Sequence, residues 1–324
     1  MKKIKFIYIY IICICSNIIT AQNLNNEAAI QLISQYNSSI HYGDIMDKLK
    51  NDTSFNLPLL AAIPTILLET KDRKIQGNCI SLLQSIVTKS PNIKTKQQAV
   101  NCTLDFLIKA NQIDPYFYSS NILGPLAAKP KAYFDEIAIE KILILFKLKE
   151  KDHYLDVECL LDLARIIKDK RFIPLIKQQF MNECKNEYTE LPSNCYYSKL
   201  ALACMGDKKY QNEVVLNLKQ KSNLDLVENH DYAYDLKLIG TPAAIDLLLR
   251  VMNDKTCQVV RVGLDIEVPC ANNVIGKLGS FAPNLPKEIR QMISDPFADE
   301  KNIEVARKWF TKHQKELKSN AVKN

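Results

Sequence analysis

The residues of this sequence best able to do chemistry are its ten cysteines, and their spacing points to oxidation. Cys13 and Cys15 lie in an apolar N-terminal stretch. The other eight are an even number, which in an exported chain reads as a disulfide framework. Cys184 and Cys195 bracket a polar stretch, 185–194, while Cys257 and Cys270 bracket a run rich in β-branched residues. Each pair closes a loop of about a dozen residues, worth about 3 kcal/mol if the bridge acts by restricting the unfolded chain. Cys79 and Cys102 fall on neighbouring helical runs, about equally far from the turn between them, and make a third candidate bridge. Cys159 and Cys204 occupy apolar positions at different heights on their helices, as buried thiols do.

Other chemistries need residues that this chain does not gather in sequence. There is no Cys-x-x-Cys and no His-Glu-x-x-His, and the four histidines, His41, His153, His230 and His313, stand far apart. Glu228, His230 and Asp231 are close together, but a helix would splay them to different faces, so they read as a solvated polar surface. Gly276-Lys277-Leu278-Gly279-Ser280 shares composition with a phosphate loop but has the wrong spacing and a helix-ending position. No Gly-x-Ser-x-Gly elbow occurs. The expectation is a chain with no catalytic residue, no cofactor and no metal. The alternative is a secreted hydrolase of helical-toroid type, acting on polysaccharide through two of the 36 acidic residues brought together in space.

Lys2, Lys3 and Lys5 precede an apolar core from Phe6 to Ile14, and Ile19-Thr20-Ala21 puts a small residue at a cleavage position. This is the pattern of a secretory leader and sets the mature N-terminus at Gln22. Ser16 and Asn17 interrupt the apolar run and no second long one follows, which disfavours an anchor. Cys13 and Cys15 each follow an isoleucine, where lipid attachment requires a small residue. The expected location is the periplasm or the cell exterior, with no stable membrane insertion after cleavage. The whole chain carries 43 basic and 36 acidic residues, a net charge of +7; without the three leader lysines, 40 face 36 and the charge is +4. Basic residues scattered among acids leave no nucleic-acid footprint, so no nucleic-acid partner is expected.

The elements that must position the cysteines are helices. From Asn26 onward, apolar runs of helical length alternate with short polar breaks: Asn26 to Gln35, Asp44 to Lys50, Leu57 to Glu69, Arg73 to Thr88 and Lys94 to Lys109. Tyr116 to Ala127, Tyr133 to Leu148, Tyr154 to Lys168 and Phe172 to Glu183 continue the series, with Pro91, Pro115, Pro130 and Pro192 in the breaks. The same two-helix unit is then written twice. Leu200 to Gly206-Asp207 leads into Tyr210 to Leu218, and Tyr234 to Ile239-Gly240-Thr241-Pro242 leads into Ala244 to Met252, with the two glycines 34 residues apart. Upstream, Ala164 to Asp169 aligns with Leu202 to Asp207 at a spacing of 38; downstream, Gly279 follows Gly240 by 39. Each glycine sits where a helix would end in the left-handed conformation.

These stretches, Leu200 to Leu218 and Leu238 to Met252, resemble short HEAT-type repeats: an alanine-rich first helix, a Gly-Asp or Gly-Thr-Pro turn, and an aliphatic second helix. The resemblance is clearest over Tyr154 to Met252 and extends to Arg73 to Leu148 and Val274 to Ser294. It implies an all-α fold, a right-handed α-α superhelix of the armadillo-like, exported bacterial kind. It implies binding of other macromolecules on a curved surface, and no catalytic residues.

The expected organisation is a leader at 1–21, an N-terminal helical cap region at 22–72, and a repeat array at 73–256 with at least four antiparallel pairs. A small disulfide-closed β-hairpin insertion at 257–270 follows, then a last repeat with a C-terminal capping helix at 271–324. Pro286 to Ile293 reads as a short helix and Asn302 to Leu317 as the cap, with Ile303, Ala306, Phe310 and Leu317 on one side. If second helices line the inner curve, Gln178, Asn212, Asp246 and Arg250 face a ligand. The expected function is an exported, non-catalytic scaffold whose partner is a protein, with a polysaccharide as the second candidate.

Overall fold

A computed structural model describes residues 33, 47, 53–113, 120–149, 155–181, 184, 194–228, 231–261, 266–293 and 298–323. The leader, and the helices expected at Asn26 to Gln35 and Asp44 to Lys50, lie outside these residues apart from Ile33 and Asp47. The described chain is all-α with one small hairpin. Helices α1 (Thr53–Glu69), α2 (Arg73–Lys89), α3 (Ile93–Ile113) and α4 (Ser120–Ala127) are followed by a 3₁₀ turn (Lys131–Tyr133). Next come α5 (Glu136–Lys149), α6 (Val157–Ile167), α7 (Phe172–Gln179), α8 (Asn194–Cys204), α9 (Lys208–Lys219), α10 (Tyr232–Ile239) and α11 (Pro242–Asn253). Strands β1 (Gln258–Arg261) and β2 (Ile266–Pro269) precede α12 (Ala271–Gly279), α13 (Lys287–Ile293), α14 (Glu300–Lys312) and α15 (Gln314–Lys323).

Short polar side chains start these helices by accepting the orphan N–H groups of the first turn. Asp72 caps α2 through Lys74 N at 2.8 Å, Asp207 caps α9 through Lys209 N at 3.1 Å, Thr241 caps α11 through Ala244 N at 3.2 Å, and Asp299 caps α14 through Asn302 N at 2.8 Å. Proline is a less dependable stop: Pro58 and Pro64 both lie inside α1, where packing of α1 against α2 and α3 outweighs two missing donors.

The chain forms two compact units, Met1–Leu163 and Ala164–Asn324. In the first, α1, α2 and α3 pack on one another and α3 packs on α5, burying Leu59, Ile63, Leu82, Leu83, Ile86 and Phe146. Asp105 of α3 meets Lys141 of α5 at 2.7 Å, and Asn101 donates to Asp135 at 3.0 Å, so the pairing carries polar links at its rim.

In the second unit, α8 pairs with α9, α10 with α11 and α12 with α13; the first helices α8, α10 and α12 form one row of neighbours, and α9, α11 and α14 form another. The turns between paired helices repeat the same backbone. Gly206 (φ +93°) and Gly240 (φ +59°) are left-handed, and so is Lys168 (φ +57°), the residue that the 38-residue alignment places opposite Gly206. The third expected glycine cap is corrected. Gly276 lies inside α12 and Gly279 ends it, and neither has positive φ; added β-carbons there would stand 3.2 Å from Ile293 and 3.1 Å from Leu285. Glycine at these two positions serves the close approach of the Leu285 and Ile293 side chains, not a turn.

Second helices are also tied end to end. Arg250 of α11 donates to the carbonyls of Lys219 (2.9 Å) and Lys221 (2.8 Å) at the end of α9, and Arg307 of α14 donates to Met252 O (2.9 Å) at the end of α11. Cations placed there satisfy carbonyls that have no partner within their own helix. The single terminal helix expected over Asn302 to Leu317 is instead two, α14 and α15. They break at His313, whose ring stacks on Trp309 at 4.1 Å while its backbone N–H donates to Trp309 O. Ile303, Ala306, Phe310 and Leu317 are nonetheless all buried.

Candidate functional site

The hairpin between Cys257 and Cys270 is where the repeat pattern is interrupted, and its register follows from its alternating residues. Val259 faces Val268 and both are buried; Val260 faces Glu267 and both point outward; Arg261 faces the exposed Ile266. The face that carries Val259 and Val268 therefore joins the core; Val260, 51% exposed, lies on the opposite face, and Ile266, 45% exposed, lies on the Val268 face at the far end of the ladder. Among the described residues each strand pairs only with the other, leaving backbone donors and acceptors along both outer edges.

The base of the ribbon is held in three ways. Cys257 and Cys270 are bonded, with their Cα atoms 5.4 Å apart, and Cys270 N donates to Cys257 O at 3.0 Å. Asp254, which follows α11, accepts from Thr256 N (2.9 Å), Thr256 Oγ1 (2.7 Å) and Cys257 N (3.1 Å) on Oδ1, and from Asn223 Nδ2 (2.6 Å) on Oδ2. Asn223 in turn accepts from Arg250 Nε at 2.8 Å. Donation from Asn223, then from Thr256, holds the Asp254 carboxyl down at about 2. A cleft of about 500 Å³ opens beside this base, lined mainly by polar side chains including Ser222, Asn223, Asp254, Thr256, Gln258 and Glu267.

A second constellation lies inside the unit. Arg165 of α6, Tyr196 of α8 and Asp235 of α10 meet: Arg165 Nη1 donates to Asp235 Oδ1 at 2.9 Å and the Tyr196 hydroxyl donates to Oδ2 at 2.6 Å. Asp235 is 1% exposed. Burial, and then the Asp235 charge, push the Tyr196 phenol above its ordinary range, so it stays a donor. This is a buried junction between first helices.

The residues singled out in the sequence have distinct fates. Cys184 and Cys195 are bonded, with Cα atoms 5.2 Å apart, as are the hairpin cysteines. Cys79 and Cys102 are free, which corrects the third bridge: Cys79 is wholly buried and Cys102 turns its sulfur toward Leu60 O on α1, 3.9 Å away. Burial pushes these thiols up to about 12 and about 11, and Cys159 to about 12. Cys204 is buried and lies outside the two disulfides. Of the residues expected to face a ligand, Gln178 and Asn212 are exposed, but Asp246 pairs with Lys318 at 2.6 Å and Arg250 is engaged by α9 and Asn223. Asp231 caps α10 and pairs with Lys277 at 3.0 Å, while His230 lies outside the described residues. The anchors Asn223, Asp254 and Thr256 were missed. An Asx turn is readable in Asp254-Lys255-Thr256-Cys257, but Asn223 is 31 residues from Asp254.

No protein-family model, no curated protein and no solved structure matches the chain. Among the described residues no helix is long and apolar enough to cross a membrane. Two disulfides fit an oxidising compartment.

Proposed function

We propose that this protein is an exported, non-catalytic helical scaffold of HEAT-like pairs that binds a protein partner through the Cys257 to Cys270 hairpin. The observation that carries this is the contrast within the hairpin itself: a base tied by a disulfide, an aspartate network and an arginine clamp, bearing exposed Val260 and Ile266 and unpaired strand edges. An ordered excursion on a rigid support loses little entropy on binding. An extended segment of a partner adds to such an edge by main-chain hydrogen bonds, and the outward apolar side chains supply contact area.

The hydrolase alternative finds no support in the cleft. A general acid must keep its proton near neutral pH, and Asp254 is held in the opposite direction.

The test is capture from the cell's own envelope with the wild type and with two variants, V260S/I266S and C257S/C270S. A specific partner retained by the wild type should be lost by V260S/I266S and weakened by C257S/C270S, while far-ultraviolet circular dichroism of both variants stays close to the wild type. A partner held with unchanged affinity by both variants overturns the assignment of the hairpin.

A further inference from the structure

The two outer edges of the hairpin are not equivalent, and the ladder shows why. Cys270 N donates to Cys257 O at 3.0 Å and the two Cα atoms are 5.4 Å apart, the spacing of a hydrogen-bonded antiparallel pair. Such pairs alternate with pairs whose main-chain groups point away from the partner strand. With Gln258 opposite Pro269 and Val260 opposite Glu267, those are the outward pairs. The outer edge of β1 thus offers an N–H and a C=O at Gln258 and again at Val260. The outer edge of β2 offers both groups at Glu267 but only a carbonyl at Pro269. Proline there blunts β2 against strand addition and leaves β1 open.

Gln258, Val260 and Glu267 share the face opposite Val259 and Val268, and all three are exposed. Gln258 and Glu267 also line the cleft of about 500 Å³, so the cleft opens on that face at the base of the ribbon, with Ser222, Asn223 and Leu224 across from them. A strand added to β1 turns every second side chain to the same face, and one that stands beside Gln258 hangs at the cleft. Among the described residues the lining holds two carboxylates, Asp254 and Glu267, and no cation. Neighbouring cations are directed elsewhere: Lys255 to Glu304 at 3.0 Å, and Arg250 to Asn223 and to the carbonyls of Lys219 and Lys221. Leu224, 38% exposed, supplies an apolar wall for the aliphatic stem of a long basic side chain.

We propose that the partner adds an extended segment to the outer edge of β1, bonding to the main chain of Gln258 and Val260, and seats a lysine or arginine in the cleft between Asp254 and Glu267. This rests on the hairpin as the binding element, and adds which edge is used and the chemistry of the segment that uses it.

Panning a random peptide display library on the immobilised full chain supplies the probe, and the most enriched peptide is then synthesised and titrated by fluorescence anisotropy. Enriched peptides should alternate β-branched residues and carry a lysine or arginine at a fixed position. Q258P removes an outward donor at the first residue of a strand, where proline is tolerated; it should weaken the synthetic peptide about tenfold, and Q258A less than about twofold. E267Q should weaken it about fivefold in low salt and little in high salt. E267P, which also removes the outward donor of β2, should be no worse than E267Q. Peptide mapping under non-reducing conditions and circular dichroism check that each variant keeps its bridge and its helices. Peptides without a fixed cation, or an affinity that Q258P leaves unchanged, overturn the proposal; if V260S/I266S still abolishes their binding, the hairpin stands as the binding element and only the edge and the cleft are misassigned. Binding unchanged by V260S/I266S, or no enriched peptide, overturns it too. Self-association of the wild type in sedimentation velocity, abolished by Q258P, assigns the edge to a second copy of this chain and likewise overturns it.

Discussion

Asp235 and Asp254 are both aspartates ringed by hydrogen-bond donors from distant parts of the chain, yet they do different work. Asp235 lies within the helical row, 1% exposed, with a guanidinium and a phenol as partners. Asp254 lies at the edge of the array, with two backbone N–H groups, a hydroxyl and an amide as partners. A buried charge must be matched by a charge, because desolvation in the interior exceeds what neutral donors return. A carboxylate that water can reach needs only dipoles, and its role is then to set the direction of a chain. The first arrangement specifies which helix packs on which; the second aims the hairpin.

The largest effect expected from this contrast is at Asp235. Replacing it by alanine takes the ion-pair partner at 2.9 Å from Arg165 and the acceptor at 2.6 Å from the Tyr196 hydroxyl, and should lower stability by about 3–5 kcal/mol in urea titrations. Replacing both charged partners, Arg165→Met with Asp235→Leu, should recover most of that loss. A double variant no better than Asp235→Ala would mean that the junction is worth more than the removal of an unpaired charge.

Asp254→Ala should cost less, about 1 kcal/mol, since it removes a cap whose donors can turn to water. Its readout is local: amide hydrogen exchange should quicken at Thr256 and Cys257 while α8 to α11 keep their protection. Global loss of protection would place Asp254 with Asp235 and dissolve the comparison.

The smallest expected effect is one of pH. Asp254 is held at about 2 against an ordinary value of 3.8, so the unfolded chain takes up its proton first as pH falls. Its stabilising contribution is complete above about pH 4 and disappears as pH drops through about 2. The midpoint gap between the wild type and Asp254→Asn should therefore narrow across that window and stay level above it.

Much of this architecture is local in origin and was legible in the residues themselves. Asp207 and Thr241 start helices wherever they precede an apolar run, because their oxygens meet the first free N–H groups. Gly206 and Gly240 end helices because the left-handed turn carries no penalty without a β-carbon. The two short-range disulfides and the hairpin between Cys257 and Cys270 belong to the same class: loops of 11 and 13 residues bring their own ends together.

What the chain alone could not show depends on side chains that choose among distant partners. Arg250 had the look of an exposed helical residue, and only the placement of α9 beside α11 turned it to the carbonyls of Lys219 and Lys221. Cys102 had a plausible partner in Cys79 by spacing, but α1 packs against α3 and takes the sulfur. The break at His313 has no glycine or proline to announce it. Arg165 and Asp235 are 70 residues apart and meet only because their helices pack. Caps, turns and short loops are decided within a few residues, so the sequence by itself determined them. Charges and sulfurs are decided by whichever neighbour removes them from water, and that neighbour exists only once the helices have packed.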